Sequence, residues 1–219
     1  IALTDEIENY PGQLEGESGA ALIARMSAQA DRAGVQRIRD TIRTAELDGP
    51  VKKLAGRTEA YLAKTVILAS GASPRPIGCK NEDAYVGRGI SFCATCDAAF
   101  FRDLEVFVAG GGNAAVEEAL YLTGFARSVT LIYPTERLTA PKILQEQAAQ
   151  NPKLRFLPHS VVEEVGGEGH DVLDRMVIRN VQTGQLTELR ADSRDGMFGL
   201  FGFLGFQPST RLFEGQLDT

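Results

Sequence analysis

The spacing of apolar and polar positions changes several times along this chain, and each change marks an element. Leu22, Ile23 and Met26 stand at helical spacing on a polar background, predicting an amphipathic helix over 18–33. Apolar and β-branched positions predict strands at Val35–Ile42 and, more briefly, at Val51–Leu54. Thr65–Ala69 is continuously apolar, the pattern of a strand buried on both faces, and Ser70-Gly71-Ala72-Ser73-Pro74 ends it in a turn. Leu104–Ala109 is a second such strand, closed by Gly110-Gly111-Gly112. A helix over Asn113–Thr123 follows. Its stripe is Ala115, Ala119 and Leu122, with Glu117 and Glu118 pointing elsewhere. Ser128–Tyr133 is the next strand, so strand, glycine turn, helix and strand form one βαβ unit. A helix is expected at 141–150. Strands are expected at Leu154–Leu157, Val161–Val165, Val172–Val181 and Gln185–Leu189, with Gly184 turning a hairpin, before a last apolar run at Met197–Phe206.

Gly and Pro are frequent over 71–89, and a domain boundary is placed there. The chain has 219 residues, which suits one or two domains at about 150 residues each. Its 43% hydrophobic content is enough for a packed core, which argues against wholesale disorder. A net charge of −6 argues against a nucleic-acid or anionic membrane surface as partner, and no apolar run is long enough to span a bilayer. Three cysteines are too few for a secreted disulfide scaffold, so the cytoplasm is the expected compartment.

Two motifs carry chemistry. Gly110-x-Gly112-x-x-Ala115 follows a buried strand and opens a helix. The first glycine permits the tight turn, and the second lets backbone approach a pyrophosphate. The small third residue lets helix and strand pack closely. A phosphate would sit on the free N–H groups at the helix start, near Asn113 and Ala114; a glycine turn with no ligand is the plainer alternative. The second motif is Cys93-Ala94-Thr95-Cys96-Asp97. Two thiols at this spacing can close a small ring and exchange with a partner disulfide, and a carboxylate beside them can move the protons. Inert thiols or half a zinc site are the alternatives. The zinc reading would draw on Cys79, His159 and His170, which lack ligand-like spacing, so no metal is expected. Cys79 alone reads as a small buried residue.

Taken in order, Glu8-Asn9-Tyr10-Pro11-Gly12, Ala69-Ser70-Gly71-Ala72, Gly87-Arg88-Gly89, the Cys93–Asp97 motif, Gly110–Ala119, Gly205-Phe206-Gln207-Pro208 and Leu212–Leu217 resemble the low-molecular-weight thioredoxin reductases. The resemblance spans essentially the whole chain. It implies an α/β fold of two Rossmann-like, three-layer nucleotide-binding domains. One holds FAD and the other carries the nicotinamide site and the redox cysteines. Mapped here, it implies a first FAD-domain segment at 1–76, an NAD(P)H-type domain at 77–202 and a returning FAD-domain segment from 203 to 219. By position, Cys96 would be the flavin-proximal sulfur, Cys93 the attacker of thioredoxin, and Asp97 the acid/base. Asn9, Gly71 and Ala72 would contact the flavin, and Gly110, Gly112, Asn113, Ala114 and Ala115 the second nucleotide. The family is typically dimeric, so a homodimer is expected of the full-length protein.

Two departures qualify that picture. The family's opening FAD motif is expected before Ile1 and its closing flavin-contact motif after Thr219. The FAD domain is therefore expected to be incomplete, and this segment alone inactive and without tightly held FAD. The second departure concerns the nicotinamide nucleotide. Members using NADPH carry His-Arg-Arg-x-x-x-Arg where this chain reads Tyr133-Pro134-Thr135-Glu136-Arg137-Leu138-Thr139. The arginines that would grip a 2′-phosphate are replaced by Pro134, Thr135 and Thr139. This resembles the ferredoxin-dependent branch, so a ferredoxin-like donor is expected, with NADH or differently bound NADPH as alternatives. Competing functions are a catalytically silent dinucleotide-binding or interaction domain, and a reductase serving a peroxiredoxin.

Overall fold

The computed structural model describes residues 10–12, 14, 16–167 and 172–217. The chain divides into two compact units, residues 1–71 with 208–219 and residues 72–207.

The first unit opens with α1 (Gly19–Arg32), where the Ser18 hydroxyl accepts the Ala21 N–H at 3.2 Å and caps the helix. Of the expected apolar stripe only Leu22 is buried, while Ile23 and Met26 stay exposed. An antiparallel meander follows: β1 (Ile42–Glu46), β2 (Lys52–Gly56) and β3 (Ala60–Ala63). The strand expected over Val35–Ile42 is not there; β1 begins where that run ends, and Val35 and Ile38 are exposed. Asp40 explains the shift. Its carboxylate accepts the backbone N–H groups of Thr41, Arg57 and Thr58 and the hydroxyls of Thr58 and Tyr61. That hub ties the segment to the β2–β3 turn instead of leaving it to pair as a strand. Thr65–Ala69 is also not a strand: no described strand lies beside it, and Ile67 is 93% exposed. A continuous apolar run becomes a buried strand only when neighbours pair with its edges and cover its faces. Near the end of the unit a 3₁₀ turn (Arg211–Phe213) precedes Gln216. The Gln216 side chain accepts the Leu47 N–H at 2.7 Å and donates to the Ala45 carbonyl at 2.8 Å.

The second unit begins at β4 (Ala72–Pro74) and passes through α2 (Glu82–Tyr85), β5 (Ile90–Ser91), α3 (Ala94–Asp97) and a 3₁₀ turn (Ala98–Phe101). Then come β6 (Glu105–Ala109), α4 (Asn113–Leu122), β7 (Ser128–Ile132), α5 (Lys142–Gln150) and β8 (Leu154–Leu157). The antiparallel strands β9 (Ser160–Gly166), β10 (Arg175–Asn180) and β11 (Leu186–Arg190) follow, with Gly184 at φ 72° turning the predicted hairpin. The strand expected from Val172 starts at Arg175. The apolar run Met197–Phe206 is two strands, β12 (Gly199–Gly202) and β13 (Phe206–Pro208), parted by Gly205 at φ 89°.

β5, β12, β6, β7 and β8 lie side by side in that order, all parallel. This is the Rossmann-type α/β sheet that the βαβ pattern predicts. Alternate residues of its strands face opposite ways. Val106, Val108, Val129, Leu131 and Phe201 pack under α4 with Ala115, Ala119 and Leu122. Phe107, Ala109, Ile132 and Leu200 pack against Val162, Val165, Met176 and Ile178 of the antiparallel sheet. The unit is thus three-layered, with helices on one face and a β-meander on the other. Each fully buried Val or Leu at these faces contributes about 1.5–3 kcal/mol relative to exposure.

Candidate functional site

The cysteine pair sits where β5 ends. Cys93 is the N-cap of α3, and the Asp97 N–H donates to the Cys93 carbonyl at 3.2 Å, so the motif closes one helical turn. That turn brings Cys93 and Cys96 into a disulfide with their Cα atoms 5.3 Å apart. Ala94 and Ala98 anchor the turn in the core, which leaves Cys93 half-buried and Cys96 exposed. Both sulfurs are in one covalent bond, so neither is a thiolate ligand for zinc. Among the described residues no group of three or more His, Cys, Asp and Glu is placed to hold a metal ion. His170 lies outside the described residues.

Asp97 ends the same turn and borders a cleft of about 400 Å³, together with Arg88, Ser91, Phe100 and Met197. Sequence reasoning passed over Ser91. It lies in β5 outside any motif, yet its hydroxyl donates to Asp97 Oδ2 at 2.6 Å and accepts the Cys93 N–H at 3.1 Å. No local pattern announces it, because the contact depends on how the α3 turn folds back over the strand end. Cys79 is buried and set apart from the pair; burial, with the nearby Glu82 carboxylate adding to it, pushes its thiol up to about 12.

The glycine motif builds a second cleft, of about 440 Å³, at the carboxyl ends of β6, β7 and β12. Gly110 has φ 143°, and a Cβ there would lie 2.4 Å from the Phe203 carbonyl oxygen and 2.9 Å from the Ala115 Cβ. Gly110 and the buried Ala115 thus permit the strand–helix approach. Gly112 faces the cleft, and a Cβ there would meet only the Thr139 hydroxyl, at 3.8 Å. As N-cap of α4 it has no side chain to cap the first helical N–H groups, which is the arrangement that receives a pyrophosphate. Asn113 and Ala114 line the cleft beside it.

The far wall of this cleft is Tyr133, Pro134, Thr135 and Thr139, and no Lys or Arg is among its lining residues. The Thr139 N–H donates to the Gly111 carbonyl at 2.8 Å, and the Thr135 hydroxyl donates to the Arg137 carbonyl at 2.7 Å. These bonds fold the 134–139 loop onto the glycine turn, and Arg137 does not line the cleft. The residues therefore fit the pyrophosphate of a dinucleotide but offer no guanidinium to a 2′-phosphate.

Gly71, at φ 71°, accepts the Ser209 N–H at 2.9 Å through its carbonyl, and Ala72 begins β4. Both are exposed, and neither lines either cleft. Asn9 lies outside the described residues. Among the described residues of the first unit α1 precedes the strands, and no glycine turn joins a strand to a helix there. Among the described residues no helix is long and apolar enough to cross a membrane.

Residues 1–218 match the model of the family described as pyridine nucleotide-disulphide oxidoreductase. A thioredoxin reductase of Peptoclostridium acidaminophilum is 46% identical over 99% of this chain and 68% of its own length. That of Streptomyces coelicolor is 42% identical over 98% of this chain and 65% of its own. The solved thioredoxin reductase of Lactococcus lactis superposes with a TM-score of 0.80 at 36% identity, across 96% of this chain and 67% of that one. The chain thus spans about two-thirds of the length of these relatives. It belongs to the pyridine nucleotide-disulphide oxidoreductase family, as an oxidoreductase of the thioredoxin-disulfide reductase type.

Proposed function

We propose that this chain carries the dithiol centre of a flavin-dependent reductase that reduces thioredoxin. The observation that carries the reading is the Cys93–Cys96 disulfide closed across the helical turn that ends in Asp97. In the dithiol form one thiolate attacks a thioredoxin sulfur, breaking its S–S bond and forming a mixed disulfide. The second thiolate then attacks the bridging sulfur of its neighbour. Thioredoxin leaves with two electrons and two protons, and Cys93–Cys96 is disulfide again. Cys93 is assigned the attacking role and Cys96 the flavin-proximal one. Asp97 takes up and returns protons at the sulfurs, since each exchange consumes or releases one.

FAD, when bound, would supply the two electrons that reopen the disulfide. Asn9, Gly71 and Ala72 are proposed as contacts to FAD, within a division of the chain into 1–76, 77–202 and 203–219. The turn from Gly110 through Gly112 to Ala115 would hold the pyrophosphate of a second nucleotide on its backbone N–H groups. A ferredoxin-like donor is favoured over NADPH, on the support of a cleft wall without Lys or Arg. A homodimer in the cytoplasm completes the reading.

The test begins with the chain reduced by dithiothreitol, freed of reductant and mixed with oxidised thioredoxin. Thiols on each partner are then counted by mass spectrometry. Transfer of two thiols to thioredoxin is expected, and Cys93→Ser or Cys96→Ser should stop it. Transfer that survives both substitutions would show that the pair is not the redox centre.

A further inference from the structure

Ser91 is 6% exposed, at the end of β5 and two residues before Cys93. Its oxygen accepts the Cys93 N–H at 3.1 Å while its hydroxyl donates to Asp97 Oδ2 at 2.6 Å; the Cys93 carbonyl, at 3.4 Å, is the longer alternative acceptor. One buried hydroxyl therefore joins the backbone of the first cysteine to the carboxylate at the far end of the same turn.

We propose that Ser91 is a positioning residue for proton transfer at the Cys93–Cys96 pair, its hydroxyl holding the Asp97 carboxylate in place against the turn that carries the disulfide. The proposal rests on the reading of Asp97 as the acid/base. Opening the disulfide breaks one S–S bond and takes up two electrons and two protons. With dithiothreitol as reductant, its two thiols supply both and close to a cyclic disulfide. The carboxylate takes up the proton released by the attacking dithiothreitol thiol and passes it to the departing thiolate, and a carboxylate fixed in one orientation does so more often than one free to rotate. Arg88 is the other charged side chain lining the cleft beside Asp97. It is exposed whereas Ser91 is buried, so the hydroxyl is the partner whose geometry the fold determines.

The test is the rate at which dithiothreitol reduces Cys93–Cys96 in the intact chain, read by alkylating the new thiols and weighing them. Ser91→Ala is expected to slow that rate about tenfold, the effect of one hydrogen bond to a charged group. In an Asp97→Asn background Ser91→Ala should slow it no further, because a residue that acts through the carboxylate has nothing left to act on. Ser91→Thr and Ser91→Val form a matched pair of one shape, differing in the hydroxyl. Thr should hold the rate within about twofold and Val should lose it. Equal rates for that pair would overturn the role of Ser91, even if the alanine variant folds poorly. So would effects of Ser91→Ala and Asp97→Asn that simply multiply. An Asp97→Asn chain reduced as fast as the unaltered one would instead overturn the acid/base reading beneath it.

Discussion

Gly110 and Phe203 approach each other at the backbone: a Cβ on Gly110 would stand 2.4 Å from the Phe203 carbonyl oxygen. No side chain can yield there, since the obstructing atom is main chain and the φ of 143° is itself unfavourable for an L-residue. Gly110→Ala is expected to cost roughly 2–4 kcal/mol through strain and overpacking together. Urea unfolding checks this, as a fall in midpoint with little change in slope. A loss below about 0.5 kcal/mol, the scale of an ordinary surface change, would mean that the close approach is not obligatory.

The wall opposite this turn predicts a nucleotide preference. With Pro134, Thr135 and Thr139 there and no cation among the lining residues, a 2′-phosphate gains no charge-assisted bond. Calorimetry with ADP-ribose and its 2′-phosphate should find the two bound within about threefold of each other, and the double variant Pro134→Arg, Thr135→Arg should favour the phosphate about tenfold, as charge-assisted bonds to a phosphate would. Tenfold tighter binding of the phosphate by the unaltered chain would contradict this account and the donor preference built on it.

Cys79 and the Cys93–Cys96 pair differ in chemistry as well as place. Burial and the neighbouring Glu82 push the Cys79 thiol up to about 12, so almost none is thiolate at pH 8. After reduction, iodoacetamide at that pH should modify Cys93 and Cys96 and spare Cys79 until urea is added. Labelling of Cys79 as fast as the pair in the folded chain would place it at the surface.

Asp40 makes the meander of the first unit sensitive to acid. Partial burial pulls its carboxyl upward, but hydrogen bonds from Thr58, Tyr61 and the Thr41 and Thr58 N–H groups outweigh burial and hold it well below the usual range. A depressed carboxyl contributes stability above its unfolded value near 4, lost as pH falls through the folded one. Asp40→Asn should therefore lower the melting temperature clearly at pH 7, with the gap to the unaltered chain narrowing below about pH 4. A gap of equal size at pH 7 and pH 2.5 would show that the ionised carboxylate is not what matters.

What the sequence determined by itself was the pair of chemical motifs and the elements that carry them. A three-residue step put two sulfurs on one helical turn, and a glycine turn between an apolar strand and the Ala115–Ala119–Leu122 stripe marked β6, α4 and their cleft. These signals survive because they depend on a few neighbouring dihedrals and on a period that burial only reinforces. The tertiary structure decided what depends on distant partners. Thr65–Ala69 has the composition of a core strand yet lies mostly exposed, since pairing edges and covering layers are not encoded within the run. Most of Val35–Ile42 is irregular rather than a strand, because Asp40 found its donors about 20 residues away. Ser91 reaches Asp97 only because the chain folds back at Cys93, so its part in the site follows from a position in space that no spacing rule specifies.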